Sequence, residues 1–319
     1  VTQRRPQEGL TIAELLVSLG LGLLVSMAAI GLLLSSRAVY LQHEEAVRLH
    51  ETGRFALEAV ARAVRQAGFE DWGAESAPDD AGGATAAIAG LDARSLSERG
   101  YGIAQPLPPA SLGSDVLALR FAGGGAPPGG DGTMTDCAGF GVPAHPGNAD
   151  ARGWSIFHVG IGPDGEPELR CKYRAASGAF ASAAIAGGIE SFQVLYGLDL
   201  DADGTPERYV NATAIDRLDA TIVLAGDTDE ARSRDFRRRT HWRRVAAVRI
   251  ALLVRSLRAG TDGDGVYDLF GAAYGAAHGA EDAGTRVAVH ALPARERGRL
   301  RRVFAQTVML RNRVSGDRP

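Results

Sequence analysis

Four acidic residues alternate along Asp199-Leu-Asp201-Ala-Asp203-Gly-Thr-Pro-Glu207. That spacing can turn carboxylate oxygens onto one hard cation. Calcium suits such an oxygen set, with a backbone carbonyl near Thr205 as a further ligand and Glu207 closing the ring. An EF-hand would carry a bidentate Glu at the twelfth loop position, where this chain has Val210. Its flanks would also read as helices, and these read as strands, so an EF-hand is excluded. Two readings stay open: a calcium-stabilised hairpin, and an acidic solvated turn made of ordinary turn residues. A second acidic run, Thr261-Asp-Gly-Asp-Gly-Val-Tyr-Asp268, has fewer carboxylates and reads as a loop.

Arg232, Arg234, Arg237, Arg238, Arg239, Arg243 and Arg244 form a basic cluster interleaved with Phe236, His241 and Trp242. Such a set can contact phosphates and stack bases. Asp227, Asp229, Glu230 and Asp235 offset it, so a solvated loop before a strand is the favoured reading, and nucleic acid is not an expected partner. The formal net charge of −3 points to no polyanionic partner either. The chain has no G-x-S-x-G elbow, no H-E-x-x-H and no P-loop lysine pattern. Its histidines, His43, His50, His145, His158, His278 and His290 among them, are dispersed. An enzyme is not expected, and no cofactor is required beyond the calcium reading.

One carboxylate sits in a more informative place. Glu14 lies just behind a short basic leader, at the mouth of the uncharged stretch Leu15 to Leu34, which is long enough to cross a bilayer core as one helix. A carboxylate beside lipid asks for a partner. A cut after Gly9 would supply one, the new amine of Leu10 one helical turn before Glu14. It would remove Arg4 and Arg5 and leave the apolar helix on the product, unlike secretory cleavage after the apolar region.

These elements must be positioned by the rest of the chain. No Pro interrupts Thr11 to Gly68, and Leu57, Val60, Val64 and Ala67 recur at helical spacing. One helix over that range would approach roughly 90 Å, apolar all round in its first half and amphipathic in its second. Gly20, Gly22, Gly31 and Gly53 weaken it locally. Asp71–Leu112 reads as a long loop, as do Gly123–Gly132 and Thr261–Gly284. Strands are expected at Asp115–Phe121, Trp154–Gly160, Leu169–Arg174, Ile189–Tyr196, Arg208–Ala212, Val245–Arg255 and Leu300–Asn312. A long helix followed by strands gives an α+β fold with a mostly antiparallel sheet. The two cysteines, Cys137 and Cys171, most simply form one disulfide in an exported chain; two separate buried thiols is the other reading.

The leader, Gly9, apolar Leu10, Thr11, Glu14 and the apolar helix together resemble the type IV prepilins. So do several head segments, in order, which resemble PilW-type minor pilins: Arg62-Ala-Val-Arg-Gln-Ala-Gly-Phe69, Ile189-Glu-Ser-Phe-Gln-Val-Leu-Tyr-Gly197, Val245 to Ser256 and Arg302 to Arg313. The resemblance implies cleavage between Gly9 and Leu10 by a prepilin peptidase, N-methylation of Leu10, and Glu14 as the carboxylate that guides assembly. It divides the chain into leader (1–9), transmembrane and filament-core helix (10–36), amphipathic helix (37–69) and β-rich head (70–319). It places the protein in the inner membrane with a periplasmic head, then in a type IV pilus on the surface of a Gram-negative cell. Its partners would be other minor pilins, the major pilin, the inner-membrane assembly platform and a tip adhesin. A J-type pseudopilin of type II secretion shares the leader, the helix and a large β-rich head, so only the head motifs favour the pilus, and a membrane-anchored periplasmic binding protein or enzyme is the remaining alternative.

Overall fold

With no proline from Thr11 to Gly68 and Thr11 able to cap the first turn, the N-terminal region forms one helix, α1 (Ile12–Gln66). The computed structural model describes residues 11–70, 85–144, 152–259 and 265–312. The expected cleavage residues, Gly9 and Leu10, lie outside them. So do the first third of the expected 71–112 loop, the first half of the second acidic run from Thr261, and Arg313.

The chain divides into two units, Val1–Arg48 and Leu49–Pro319. In the first, every large apolar side chain from Ile12 to Leu41 is exposed, and none of the membrane-length apolar window of α1 is buried. The second begins with the last turns of α1, where Leu49, Ala56, Leu57, Val60, Ala61, Val64 and Ala67 are buried. That spacing of three, four and seven residues is one helical face. The helix stops at Gly68, whose φ of +73° only glycine adopts without strain. Asn312, after the last strand, closes the end: its Nδ2 donates to the Arg65 and Ala67 carbonyls at 3.1 and 3.4 Å.

Thirteen strands and four further helices follow α1 among the described residues. In chain order they are β1 (Ile88–Leu91), β2 (Ser95–Leu96), β3 (Pro106–Leu107), β4 (Val116–Phe121), β5 (Gly153–Ile161), β6 (Pro167–Arg174), β7 (Phe180–Gly187), β8 (Ile189–Leu198) and β9 (Arg208–Val210). Then come α2 (Ala212–Asp219), α3 (Asp229–Arg239), β10 (Val245–Ala259), β11 (Val266–Asp268), α4 (Ala272–His278), β12 (Arg286–Ala288), α5 (Ala294–Arg297) and β13 (Arg299–Met309). Two antiparallel sheets dominate. The first has the order β1-β4-β5-β6-β7 and the second β13-β10-β8-β9. Phe157 and Leu169 of the first sheet, Phe192, Val194, Ile250, Leu252 and Phe304 of the second, and the buried face of α1 share one core. The opposite face of the second sheet, through Leu195, Ala251 and Leu253, packs on Leu269, Phe270, Val287 and Leu292. Covered on both faces, most of β10 reads as an apolar run instead of an alternating strand, and β8 is buried along its whole length although it carries Glu190, Ser191 and Gln193.

The α+β class holds, with corrections. The expected single sheet is two. Residues 85–112 are not all loop, because Ile88-Ala-Gly-Leu91 pairs with β4; two large apolar residues among Ala and Gly gave too weak an alternation to notice. The Ala-rich β7 was missed for the same reason. Within Thr261–Gly284, β11 and α4 form around Tyr267, Leu269 and Phe270. The strand expected at Arg208–Ala212 ends at Val210, since Asn211 caps α2 by accepting the Ala214 N–H at 3.0 Å. The basic cluster is no loop: Thr228 caps α3, Asp229 and Glu230 fill its first turn, and Arg237, Arg238 and Arg239 its last. That charge order complements the helix dipole, and it drives a helix that has no buried face at all.

Candidate functional site

Glu14 occupies the third position of α1, which places its carboxylate over the cap. Thr11 N–H and Thr11 Oγ1 both donate to Glu14 Oε2, at 3.0 and 2.9 Å, and the Glu14 N–H donates to Thr11 Oγ1 at 3.4 Å. This is a reciprocal capping box. The Thr-x-x-Glu spacing is visible in the sequence, where Glu14 stands as the assembly carboxylate; in the structure it also caps the helix. Beside it, Leu15 and Leu16 are 51 and 63 % exposed. The carboxylate is therefore fixed at the start of an apolar surface that the described residues leave bare.

The acidic loop joins β8 to β9, so the hairpin expectation matches the chain path. One oxygen each from Asp199, Asp201, Asp203 and Glu207 lies within 4.8 Å of the others. The loop is tied by its own carboxylates: Asp199 Oδ2 accepts the Gly204 N–H at 2.9 Å, Asp203 Oδ1 the Thr205 N–H at 2.6 Å, and Glu207 Oε2 the Leu200 N–H at 2.7 Å. Asp199 is buried and the other three are exposed. Gly204, at φ +98°, makes the turn that lets the chain fold back. The donor set is all hard oxygen, which fits calcium chemistry.

The arginines largely serve their own helix. Arg232 pairs with Asp229, Arg234 with Glu230 and Arg239 with Asp235 along α3, while Arg244 donates to the Leu200 carbonyl. Cys137 and Cys171 are joined in a disulfide that fastens the segment before β5 to β6.

Sequence reasoning missed two buried polar constructions. Glu190 on β8 accepts from Arg255 Nη1 on β10 at 2.9 Å and from Arg301 Nε and Nη2 on β13 at 2.7 and 2.9 Å. Glu166, in the β5–β6 turn, pairs with Arg255 and Arg299, so the network joins the two sheets. The second is Asp115, whose carboxylate accepts the Ala93 and Val194 N–H groups at 3.0 and 2.9 Å. Burial, helped by the nearby Asp92 charge, holds its carboxyl well above the usual range. Neither group carried a local signal, because each is defined by strands distant in sequence. A surface cavity of about 590 Å³ lies between Phe140, Pro127 and the β6–β7 turn. Its one carboxylate, Asp136, is taken up by the Ala138 and Phe140 N–H groups, which leaves it poorly placed for acid–base work.

The family model for PilW, type IV pilus-assembly protein W, matches residues 156–312, from within β5 to the residues after β13. Over those residues the chain is similar to the PilW family. The matched residues include the whole second sheet, the acidic loop and the Glu190 network. No curated protein matches the chain. Among solved structures it is similar to the type IV-like pilin TTHA1219 from Thermus thermophilus, at 15 % identity and a TM-score of 0.39, over 83 % of this chain and 98 % of that one. That likeness is too distant to build on. The PilW match and the long apolar helix support a pilus-associated function.

Proposed function

We propose that this chain is a non-enzymatic minor pilin that is cut between Gly9 and Leu10 and enters the initiating or tip complex of a type IV pilus. One observation carries this reading: a PilW head is attached to a helix whose apolar half is bare and begins at a fixed carboxylate, Glu14. In the membrane, lipid covers that half; in a filament, the helices of neighbouring subunits do. Glu14 then offsets the amine at the N-terminus of an adjacent subunit, and an N-methylated Leu10 keeps that amine charged. Prepilin peptidase, the inner-membrane platform, the major pilin and other minor pilins are the partners this requires, with a tip adhesin as a ligand of the head. The secretion pseudopilin shares the leader, the helix and a large β-rich head, and the PilW match within the head supports the pilus over it.

Deletion of the gene, then complementation with wild type or Glu14→Ala, tests the reading by surface pili and by N-terminal sequencing. The deletion strain is expected to lose most pili and Glu14→Ala to fail to restore them. Normal piliation in the deletion strain would sink the priming role. An uncut N-terminus in a strain with active prepilin peptidase would sink the pilin reading itself. We also propose that the 199–207 loop holds calcium, which would screen four converging carboxylates and stiffen the β8–β9 hairpin. Thermal melts of the chain with calcium and with chelator check it; identical curves would leave a plain acidic turn.

A further inference from the structure

Three carboxylates meet where α2 and α4 join the sheets, and a run of hydrogen bonds passes through all of them. Asp115, just before β4, accepts the Ala93 N–H of the β1–β2 turn and the Val194 N–H of β8, at 3.0 and 2.9 Å. Next to Ala93 stands Asp92, whose two oxygens accept the Ala212 and Thr213 N–H groups at the start of α2, at 3.0 and 2.7 Å. Asn211, the cap of α2, donates in turn to Asp282 Oδ1 at 3.0 Å. The other oxygen of Asp282 accepts the hydroxyl of Tyr274 on α4 at 2.8 Å. The turn, β4, β8, α2 and α4 are thus tied through acids alone.

No positive side chain balances them. Asp115 and Asp282 are buried, and among the described residues no arginine or lysine pairs with either of them or with Asp92. Arg94, the nearest cation along the chain, is exposed and turns its Nη1 to the Ala93 carbonyl. Facing the three acids are Asp216 of α2, Tyr196 of β8 and, on α4, Tyr274 and the exposed His278. Of these only a protonated His278 would favour an ionised Asp282. Tyr196 adds an independent sign: its hydroxyl is buried without a hydrogen-bond partner among the described residues, and it lies against Gly90, two residues before Asp92. Like charges gathered in a site shielded from water cannot all stay ionised.

We infer that this junction is a proton-operated clasp: mild acid places a proton among Asp92, Asp115 and Asp282 and tightens α2 and α4 on the sheets, and loss of that proton loosens them. The proton comes from solvent. It removes one charge and adds an O–H donor to a site that has only acceptors to spare, the Tyr196 oxygen among them. Burial raises the Asp115 and Asp282 carboxyls in the matching direction. The native chain then keeps a proton that the unfolded chain has lost, so the clasp strengthens as pH falls toward the unfolded aspartate value of about 4. It weakens as pH rises through the folded values. The clasp stands apart from the pilin reading, since it uses the head alone.

Urea melts of the full chain in micelles at pH 8 and pH 5 test it, with wild type set against Asp282→Asn. Asparagine keeps both contacts, its Oδ1 accepting from Asn211 and its amide donating to the Tyr274 oxygen, but it cannot take the proton. The wild-type midpoint should shift upward relative to the variant between pH 8 and pH 5, while Asp227→Asn at an exposed position should run parallel to wild type. Hydrogen exchange needs no variant: corrected for intrinsic rates, protection of the Ala214–Leu218 amides of α2 relative to those of β10 should rise at pH 5. Parallel midpoints for wild type and Asp282→Asn would overturn the inference, as would a variant that gains on wild type in acid. Should Asp282→Asn fail to fold, exchange decides, and flat or falling relative protection of α2 rejects the clasp.

Discussion

The two halves of α1 carry the same kinds of apolar residue and meet opposite fates. From Leu49 onward, a stripe of Leu, Val and Ala is covered by the head and becomes the floor of its core. Before Arg48, large apolar side chains point out all round and none is covered, Leu24 being 64 % exposed against 8 % for Leu57. The difference lies in pattern more than in hydrophobicity. An apolar stripe opposite charges, such as Glu58, Arg62 and Arg65, has one face to bury and finds it within the chain. An apolar cylinder has no preferred face, and only a surrounding medium, lipid or other helices, can satisfy it.

The comparison fails first if the covered half does not hold the head. Leu57→Ala should cost the head about 2–5 kcal/mol, because the side chain leaves a closed core. Leu24→Ala should leave head stability unchanged within about 0.5 kcal/mol while weakening retention in membrane or filament. Urea melts followed by the emission of Trp154 and Trp242, both in the head, read the difference. Equal losses would mean the two halves stand or fall together.

Acid sharpens the contrast, since no titratable residue lies between Leu15 and Leu34. His158 in the first sheet is buried, and that burial pulls its imidazole down to about 4. Between the unfolded value near 6.5 and that folded value, the unfolded chain takes up the proton and the native one does not. Stability is therefore complete above about pH 6.5 and falls as pH drops, by about 2 kcal/mol at pH 5. Asp115, Asp136 and Asp282, raised chiefly by burial, act in the opposite direction, so the wild-type slope alone is a sum. The informative measurement is His158→Gln against wild type in urea at pH 7.5 and pH 5, where wild type should lose about 2 kcal/mol more. Equal pH slopes would remove His158 as the acid-sensitive group. Helicity of the bare half, read in lipid, should not move.

What the sequence disclosed follows from how local each cause is. The extent of α1, its buried stripe at Leu57, Val60, Val64 and Ala67, and the large strands β5, β8, β10 and β13 come from periodicity within a few turns or pleats. The acidic loop was legible because its four carboxylates are close neighbours in the chain. The clamp of Glu190 by Arg255 and Arg301 was not, because a glutamate beside Ile189 and Phe192 looks outward-facing until both faces of β8 are known to be covered. Helix α3 has no apolar periodicity to announce it, because its causes are capping and charge order. Strand β7 alternates only between alanine and slightly larger residues, which no hydrophobic pattern separates from loop.

Glycine gives the smallest and most discriminating test. The four helical glycines read alike as weak points, yet their surroundings differ. A Cβ at Gly20, Gly22 or Gly31 would meet nothing within 4 Å, whereas at Gly53 it would stand 2.4 Å from the ring of Phe304. Gly53 is thus a seat for an aromatic ring of β13, and Phe304 also lies 5.6 Å from the ring of His50 one turn away. Gly→Ala in a helix interior gains roughly 1 kcal/mol from propensity. At Gly20 that gain should appear undiminished as greater helicity in micelles. At Gly53 the overpacked ring costs about 1–3 kcal/mol, so the net effect on the head should be a loss of about 1 kcal/mol, and Phe304→Leu in the same chain should relieve it. A stabilising Gly53→Ala would show that β13 yields easily and that the covered half of α1 is held more loosely than its packing indicates.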